Sequence, residues 1–154
     1  MVEIKIIDND ELKSDITDSV LHQLPKWFGV EESIKDYIKG VKGKVFHAVY
    51  DSKDVIGFIC LKFNNKYTAE IYVMGILEQY HRNGIGKKLV NIVEQYIKDK
   101  DFKFFMVKTL GESSDYEYYK RTRGFYKNVG FYPLEEIKEI WGEENPCLIM
   151  VKHL

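Results

Sequence analysis

The period of apolar and polar positions changes several times along the chain. "VEIKII" (residues 2–7) alternates apolar with polar, the period of two that marks a strand. "NDEL" follows as a helix start with Asn9 or Asp10 as cap, and residues 10–24 read as a helix that ends before Pro25. "PKWFG" breaks the pattern and carries two aromatics that read as exposed, Trp27 and Phe28. "VEESIKDYIKG" places Val30, Ile34, Tyr37 and Ile38 at helical spacing, with Gly40 as the stop. The period then returns to two. "KVFHAVYDSKDVIGFICLKF" reads as strand, turn and strand, "NNK" as a tight turn, and "YTAEIYVMGIL" as a third strand. Residues 44–77 are thus expected to form an antiparallel meander.

A helix comes next. Ile85, Leu89, Ile92, Val93 and Tyr96 share one face, while Lys87, Lys88, Asn91, Glu94, Gln95 and Lys98 take the other side. "FKFFMVKTL" is a strongly apolar strand, and "YEYYKRTRGFYKNVGF" a helix closed by Gly130. "FYPLEEIKEIW" and "NPCLIMVKHL" read as the last two strands, around a turn at "GEENP". The order β-α-α-β-β-β-α-β-α-β-β predicts one mixed α/β (α+β) domain over residues 1–154, built on a central sheet.

Composition supports a packed core. Of 154 residues, 45% are hydrophobic and 31% charged, which is not the balance of a disordered chain. The net charge of -1 gives no basic face for nucleic acid. No segment approaches the ~20 apolar residues that cross a membrane, and no cleavage signal opens the chain, so a reducing, cytoplasmic setting is expected. Cys60 and Cys147 lie in the apolar runs "GFICLKF" and "NPCLIMV". Their spacing makes neither a metal motif nor a disulfide framework, and both read as small buried hydrophobes. No metal is expected.

The stretch "EQYHRNGIGKKL" (residues 78–89) stands apart, with two glycines among basic residues at the start of the helix. A strand feeding a glycine turn feeding a helix suits an anion. The first helical turn leaves N–H groups unpaired, the dipole adds positive charge, and glycine lets the backbone approach. Arg82, Lys87 and Lys88 add charge around it. A nucleotide P-loop would need a glycine where His81 stands and a hydroxyl where Lys88 stands. A dinucleotide fingerprint would need a third glycine where Leu89 stands, and the meander before the turn is not a βαβ unit. A plain strand-to-helix turn with a solvated basic rim fits these residues equally well.

"HRNGIG" resembles the R/Q-x-x-G-x-G/A signature of the GCN5-related N-acetyltransferase (GNAT) family. "EIYVMGILEQYHRNGIGKKL" is similar to that family's fourth strand and third helix, and "GFYKNVGFYPLEE" to its F-Y-x-x-x-G-F helix end. The order of elements matches over nearly all of residues 2–152. The resemblance implies the GNAT fold, a central mixed, mostly antiparallel sheet of about seven strands flanked by about four helices, with strands 4 and 5 splayed. It implies acetyl-CoA as co-substrate, with its pyrophosphate on the backbone of His81, Arg82, Asn83, Gly84, Ile85, Gly86 and Lys87. His81 departs from the family's Arg or Gln, a position that works mostly through its backbone. Tyr119 stands where many members carry Asn near the pantetheine arm.

The remaining roles follow from the same resemblance. The N–H of Met74 would face the thioester carbonyl and Ile76 would pair with pantetheine, with Gly75 suiting a bulge or a close backbone approach. Tyr126 matches the tyrosine whose hydroxyl reaches the sulfur. Glu70 sits in "TAEIYVM", where Ala69, Ile71 and Val73 take the core-facing side and Glu70, Tyr72 and Met74 the other. It resembles the glutamate base of the histone-acetyltransferase branch. Four residues of strand, roughly 13 Å, separate it from Met74, so it would act through a water or bind the cationic acceptor. Trp27 and Phe28 fall in the loop that covers the family's acceptor pocket, and with Tyr72 could wall an acceptor site. Arg121 or Arg123 could meet an anionic substrate or the CoA phosphates, beside the plainer reading of a solvated face. Turnover on a small-molecule or peptide amine is the expected activity. A CoA-binding regulatory domain of the same fold is the alternative, and homodimers occur in the family.

Overall fold

The structure is a computed structural model that describes residues 2–154. In chain order it contains β1 (Val2–Ile6), α1 (Asp10–His22), α2 (Glu31–Gly40), β2 (Val45–Asp51), β3 (Asp54–Phe63) and β4 (Thr68–Ile76). A 3-10 turn (Glu78–Tyr80) leads to α3 (Ile85–Asp99), β5 (Phe104–Leu110), α4 (Glu117–Asn128), β6 (Tyr132–Ile137), α5 (Lys138–Trp141) and β7 (Cys147–His153). The seven strands form one sheet in the order β1-β2-β3-β4-β5-β7-β6. β1–β2, β2–β3, β5–β7 and β6–β7 pair antiparallel, whereas β4 and β5 pair parallel. That parallel pairing runs only from Thr68↔Phe104 to Ile71↔Val107, so β4 parts from β5 beyond Ile71, the expected splay.

The chain divides into two compact units. One comprises the residues up to Lys62 together with Tyr72–Gln95. Its core stacks Phe46 on Phe58 at 5.0 Å, with Val20, Leu21, Leu89, Val90 and Val93 fully buried. Asn9 caps α1, its side chain accepting from the Leu12 N–H at 2.9 Å. The Ser14 hydroxyl donates to the Ile38 carbonyl at 2.7 Å and ties α1 to α2. The other unit comprises Phe63–Ile71 and Tyr96–Leu154. There Phe131 packs against Phe105 and Tyr126, centroids 5.2 and 5.7 Å away, over buried Met150. Gly130, just past α4, holds the left-handed φ of 102° that lets a helix end there. No helix among the described residues is long and apolar enough to cross a membrane.

Three expectations are corrected. The strand read over "FYPLEEIKEIW" stops at Ile137 and becomes a helical turn, α5. Leu134, Ile137, Ile140 and Trp141 recur at i, i+3, i+6 and i+7, a helical spacing rather than an alternation, and Leu134, Ile140 and Trp141 stay exposed. Gly40 is not a left-handed helix stop. It is the last residue of α2, and the next left-handed glycine is Gly43. Ile92 lies outside the buried face of α3, which Ile85, Leu89, Val90, Val93 and Ile97 form instead.

Candidate active site

In the first unit, the glycine turn of residues 78–87 begins where β4 ends. The N–H groups of Tyr80 and His81 donate to Leu77 and Glu78 carbonyls at 2.9 and 3.0 Å, closing the 3-10 turn. His81 is extended, Arg82 is left-handed with φ 66°, and Gly84 is left-handed with φ 76°. An alanine β-carbon on Gly84 would meet nothing within 4 Å, so the backbone there faces open space. The Lys88 N–H donates to the Gly84 carbonyl at 3.0 Å, as the α3 ladder begins. By helix geometry, the N–H groups of Ile85, Gly86 and Lys87 precede the first intrahelical donor, Lys88, and have no acceptor within the helix. Arg82, Asn83, Lys87 and Lys88 are exposed around them, while Ile85 is buried and anchors the turn. An open groove of about 420 Å³ continues along α3, lined by Gly84, Lys87, Lys88, Asn91, Ile92 and Gln95. These residues fit a diphosphate: open amides, a helix N-terminus and three cationic side chains.

His81 does more than its backbone. Its Nε2 donates to the Ile76 carbonyl at 2.6 Å, and Trp27 packs edge-on against its ring at 5.3 Å. A carbonyl has two lone pairs, so the Ile76 oxygen can accept from a second donor besides His81. The Tyr80 hydroxyl donates to Asp51 at 2.8 Å and fixes the turn to β2. That bond pushes the Tyr80 pKa up and the Asp51 pKa down.

Along β4, Tyr72 and Met74 are half-buried and alternate with buried Ile71, Val73 and Gly75. Gly75 is where α1 comes close, since a β-carbon there would meet Leu24, Val20 and Leu21 at 3.1–3.4 Å. Phe28 and Trp27 are half-buried rather than exposed. Phe28 meets Tyr37 edge-on at 6.1 Å, and Tyr37 meets Tyr72 at 5.4 Å. The Lys44 ammonium sits 4.6 Å over the Tyr72 ring and donates to the Gly40 carbonyl. Burial pushes the Tyr72 phenol up, with Cys60 and Asp36 acting in the same direction. Tyr37, Tyr80 and Lys44 were not singled out by sequence. Tyr37 fell in an apolar helix stripe, and nothing local marked the other two.

The second unit holds Glu70, only 5% exposed. Asn64 donates to its Oε1 at 2.9 Å, and the Lys108 ammonium lies 3.6 Å from Oε2. A buried carboxylate needs such partners. Neither partner was legible, since Asn64 lay in a turn and Lys108 in an apolar strand. Tyr126 lies on α4, 8% exposed, between the rings of Phe125 and Phe131. Tyr119, two turns earlier on the same α4 face, is half-buried and its ring lies 5.9 Å from Tyr116. Arg123 is no solvated residue. It is 6% exposed and donates to the Leu110 and Gly111 carbonyls at 2.7 and 3.2 Å, clamping the end of β5. Arg121 is exposed beside Tyr118. Cys60 and Cys147 are both buried, and burial pushes the Cys60 thiol up to about 12 and the Cys147 thiol up as well.

Known proteins share this fold. Probable N-acetyltransferase 14 of Xenopus tropicalis is 28% identical over 101 residues, which span 65% of this chain and 46% of that protein. The matched segment is thus under half the length of that curated relative. The crystal structure of a GNAT-family protein from Desulfovibrio desulfuricans superposes with a TM-score of 0.84 at 15% identity, over 99% of both chains. A GNAT-family acetyltransferase from Elizabethkingia anophelis, solved with acetyl-CoA bound, gives a TM-score of 0.73 at 17% identity, over 99% of this chain and 98% of that one. The sequence model of the acetyltransferase (GNAT) family matches residues 12–131. With more than half of its length so matched, the chain belongs to the acetyltransferase (GNAT) family.

Proposed function

We propose that the chain, as a single acetyltransferase domain over residues 1–154, transfers the acetyl group of acetyl-CoA directly to a primary amine. The observation that carries this reading is the donor turn: left-handed Gly84 opens α3 with its first amides free of intrahelical partners and ringed by cations. Acetyl-CoA, when bound, supplies an acyl group at a thioester, whose carbonyl carbon accepts an amine lone pair.

The chain's residues then have separate tasks. The turn of residues 81–87 holds the diphosphate through the amides that follow His81, whose own N–H is given to Glu78, together with Arg82 and Lys87. The Met74 N–H donates to the carbonyl oxygen where negative charge gathers, and Ile76 and Tyr119 position the pantetheine arm. Tyr126 gives its proton to the sulfur as the carbon–sulfur bond breaks. Glu70 takes the amine proton through a water or holds the acceptor's ammonium. Trp27, Phe28 and Tyr72 wall the acceptor. An alkylamine has a pKa of ~10.4 and must lose a proton before attack. No cysteine enters, because neither thiol is exposed or acidic enough to act.

The deciding experiment is a panel of amines with acetyl-CoA, read by free thiol. Turnover with at least one amine is expected. Micromolar binding without thiol release would leave a CoA-binding regulatory domain, and absence of micromolar binding would sink the reading. Tyr126→Phe should lower kcat by about a hundredfold with acetyl-CoA affinity unchanged. Unchanged kcat would remove Tyr126 as the acid.

A further inference from the structure

The donor turn is fastened by a residue that the family resemblance treats as backbone alone. The His81 ring faces two ways. Its Nε2 donates to the Ile76 carbonyl at the end of β4, 2.6 Å away. Only the Nε2–H form of the neutral ring, or the imidazolium, can make that bond. The ring also receives the edge of Trp27 at 5.3 Å and 69°. Beside this contact, the Lys26 ammonium reaches Glu78 at 3.2 Å. The loop between α1 and α2 is therefore held to the turn at two neighbouring points, Lys26 and Trp27. An Arg or Gln in this place could keep the donor to Ile76 but would offer Trp27 no aromatic ring.

We propose that His81 is a positioning residue with two separable functions: its N–H sets the donor turn against β4, and its ring couples that turn to Trp27. The α1–α2 loop then responds when acetyl-CoA occupies the turn. The inference rests on the reading of the turn as the acetyl-CoA site.

Trp27 provides its own reporter. The chain has two tryptophans, Trp27 and Trp141, so Trp141→Phe leaves Trp27 as the single indole. In that background, acetyl-CoA is titrated by calorimetry and by Trp27 emission, with His81 as wild type, Ala, Gln or Phe. The parent should bind and shift its emission at saturation. H81A should lose affinity about tenfold, since the Ile76 carbonyl loses its donor, and lose the emission shift. H81Q should regain the affinity without the shift, because the amide donates but offers no ring. H81F should regain the shift without the affinity. The affinity of H81Q also shows that a substitution at this position folds.

Unchanged affinity in both H81A and H81F would overturn the positioning role. A shift that survives at saturation in H81A, or is absent in the parent despite binding, would overturn the coupling. A parent that does not bind acetyl-CoA removes the reading of the turn itself, and this inference with it.

Discussion

The Tyr72 hydroxyl occupies the space that a β-carbon on Gly40 would need, 1.9 Å from its ideal position. Gly40 ends α2, so a glycine read from sequence as a stop signal is in fact a seat for a ring. The ring cannot swing away without losing Tyr37 on one side and Lys44 on the other. Alanine in a helix gains at most about 1 kcal/mol over glycine, whereas overpacking costs about 1–3 kcal/mol. Gly40→Ala should therefore destabilise the protein, and should become neutral or stabilising in a Tyr72→Leu background. Urea unfolding of the four proteins checks this, and strictly additive effects would show that the ring yields without cost.

Glu70 and Lys108 should not tolerate substitution equally. Glu70 is nearly buried, whereas the Lys108 side chain is 31% exposed and can reach water. Lys108→Met leaves a buried carboxylate with Asn64 alone, a loss of about 1–3 kcal/mol. Glu70→Gln keeps a group that Asn64 can bond and frees Lys108 to solvent, so its cost should stay below about 1 kcal/mol. Denaturation midpoints at equal m-value decide the order, and the reverse order would mean that the pair is held by Lys108. If Glu70 is the base, Glu70→Gln should also raise the pH needed for turnover. A flat profile would leave it as an acceptor-binding group.

His22 should make stability depend on pH. Its Nε2 faces both Glu31 oxygens at 3.0 Å, and its Nδ1 faces the Asp18 carbonyl at 2.9 Å and carboxylate at 2.7 Å. Every partner is an acceptor, so only the imidazolium satisfies both nitrogens. The Glu31 hydrogen bond, with those from Asp18, holds the His22 pKa above its usual value. A raised folded-state value stabilises below the unfolded value of ~6.5, and the gain disappears as pH rises through the folded one. Wild type should thus melt above His22→Gln at pH 5.5, by a margin that shrinks through neutral pH. The pair is exposed, so added salt should narrow the margin. A constant difference across pH would refute the bridge.

Much of this was legible because it is local. The Asn9 cap, the period-two strands and the glycine past α4 are decided within a few residues of chain. The glycine turn was legible as a turn because Gly84 and the first residues of α3 lie within a few consecutive positions. Phe28, Tyr37, Tyr72 and Lys44 were not legible as a group, because they come from four segments that only tertiary packing brings together. Ile92 misled because a helical face drifts, and Val90 and Ile97 took the buried side. α5 was missed because it is only four residues long and directly continues β6, although Ile137, Ile140 and Trp141 have helical spacing.

The cysteines provide a chemical test of the direct transfer. With Cys60 raised to about 12 and Cys147 also raised by burial, neither should be labelled by iodoacetamide at pH 8 within an hour in the native protein. Incubation with acetyl-CoA alone should add no acetyl mass to the chain's thiols, and Cys147→Ala should retain turnover. Rapid labelling, or an acetylated cysteine by mass spectrometry, would reopen a covalent route.

Arg82 has a consequence for anyone reshaping this protein. It holds φ 66° with a full side chain, a conformation that costs an L-residue about 1–2 kcal/mol. Arg82→Gly relieves that cost at the exposed tip of the turn, so a laboratory selection for heat resistance would find it early. The same step removes a cation from the proposed diphosphate site. Selection on melting temperature alone would then trade the proposed anion site for a sturdier fold.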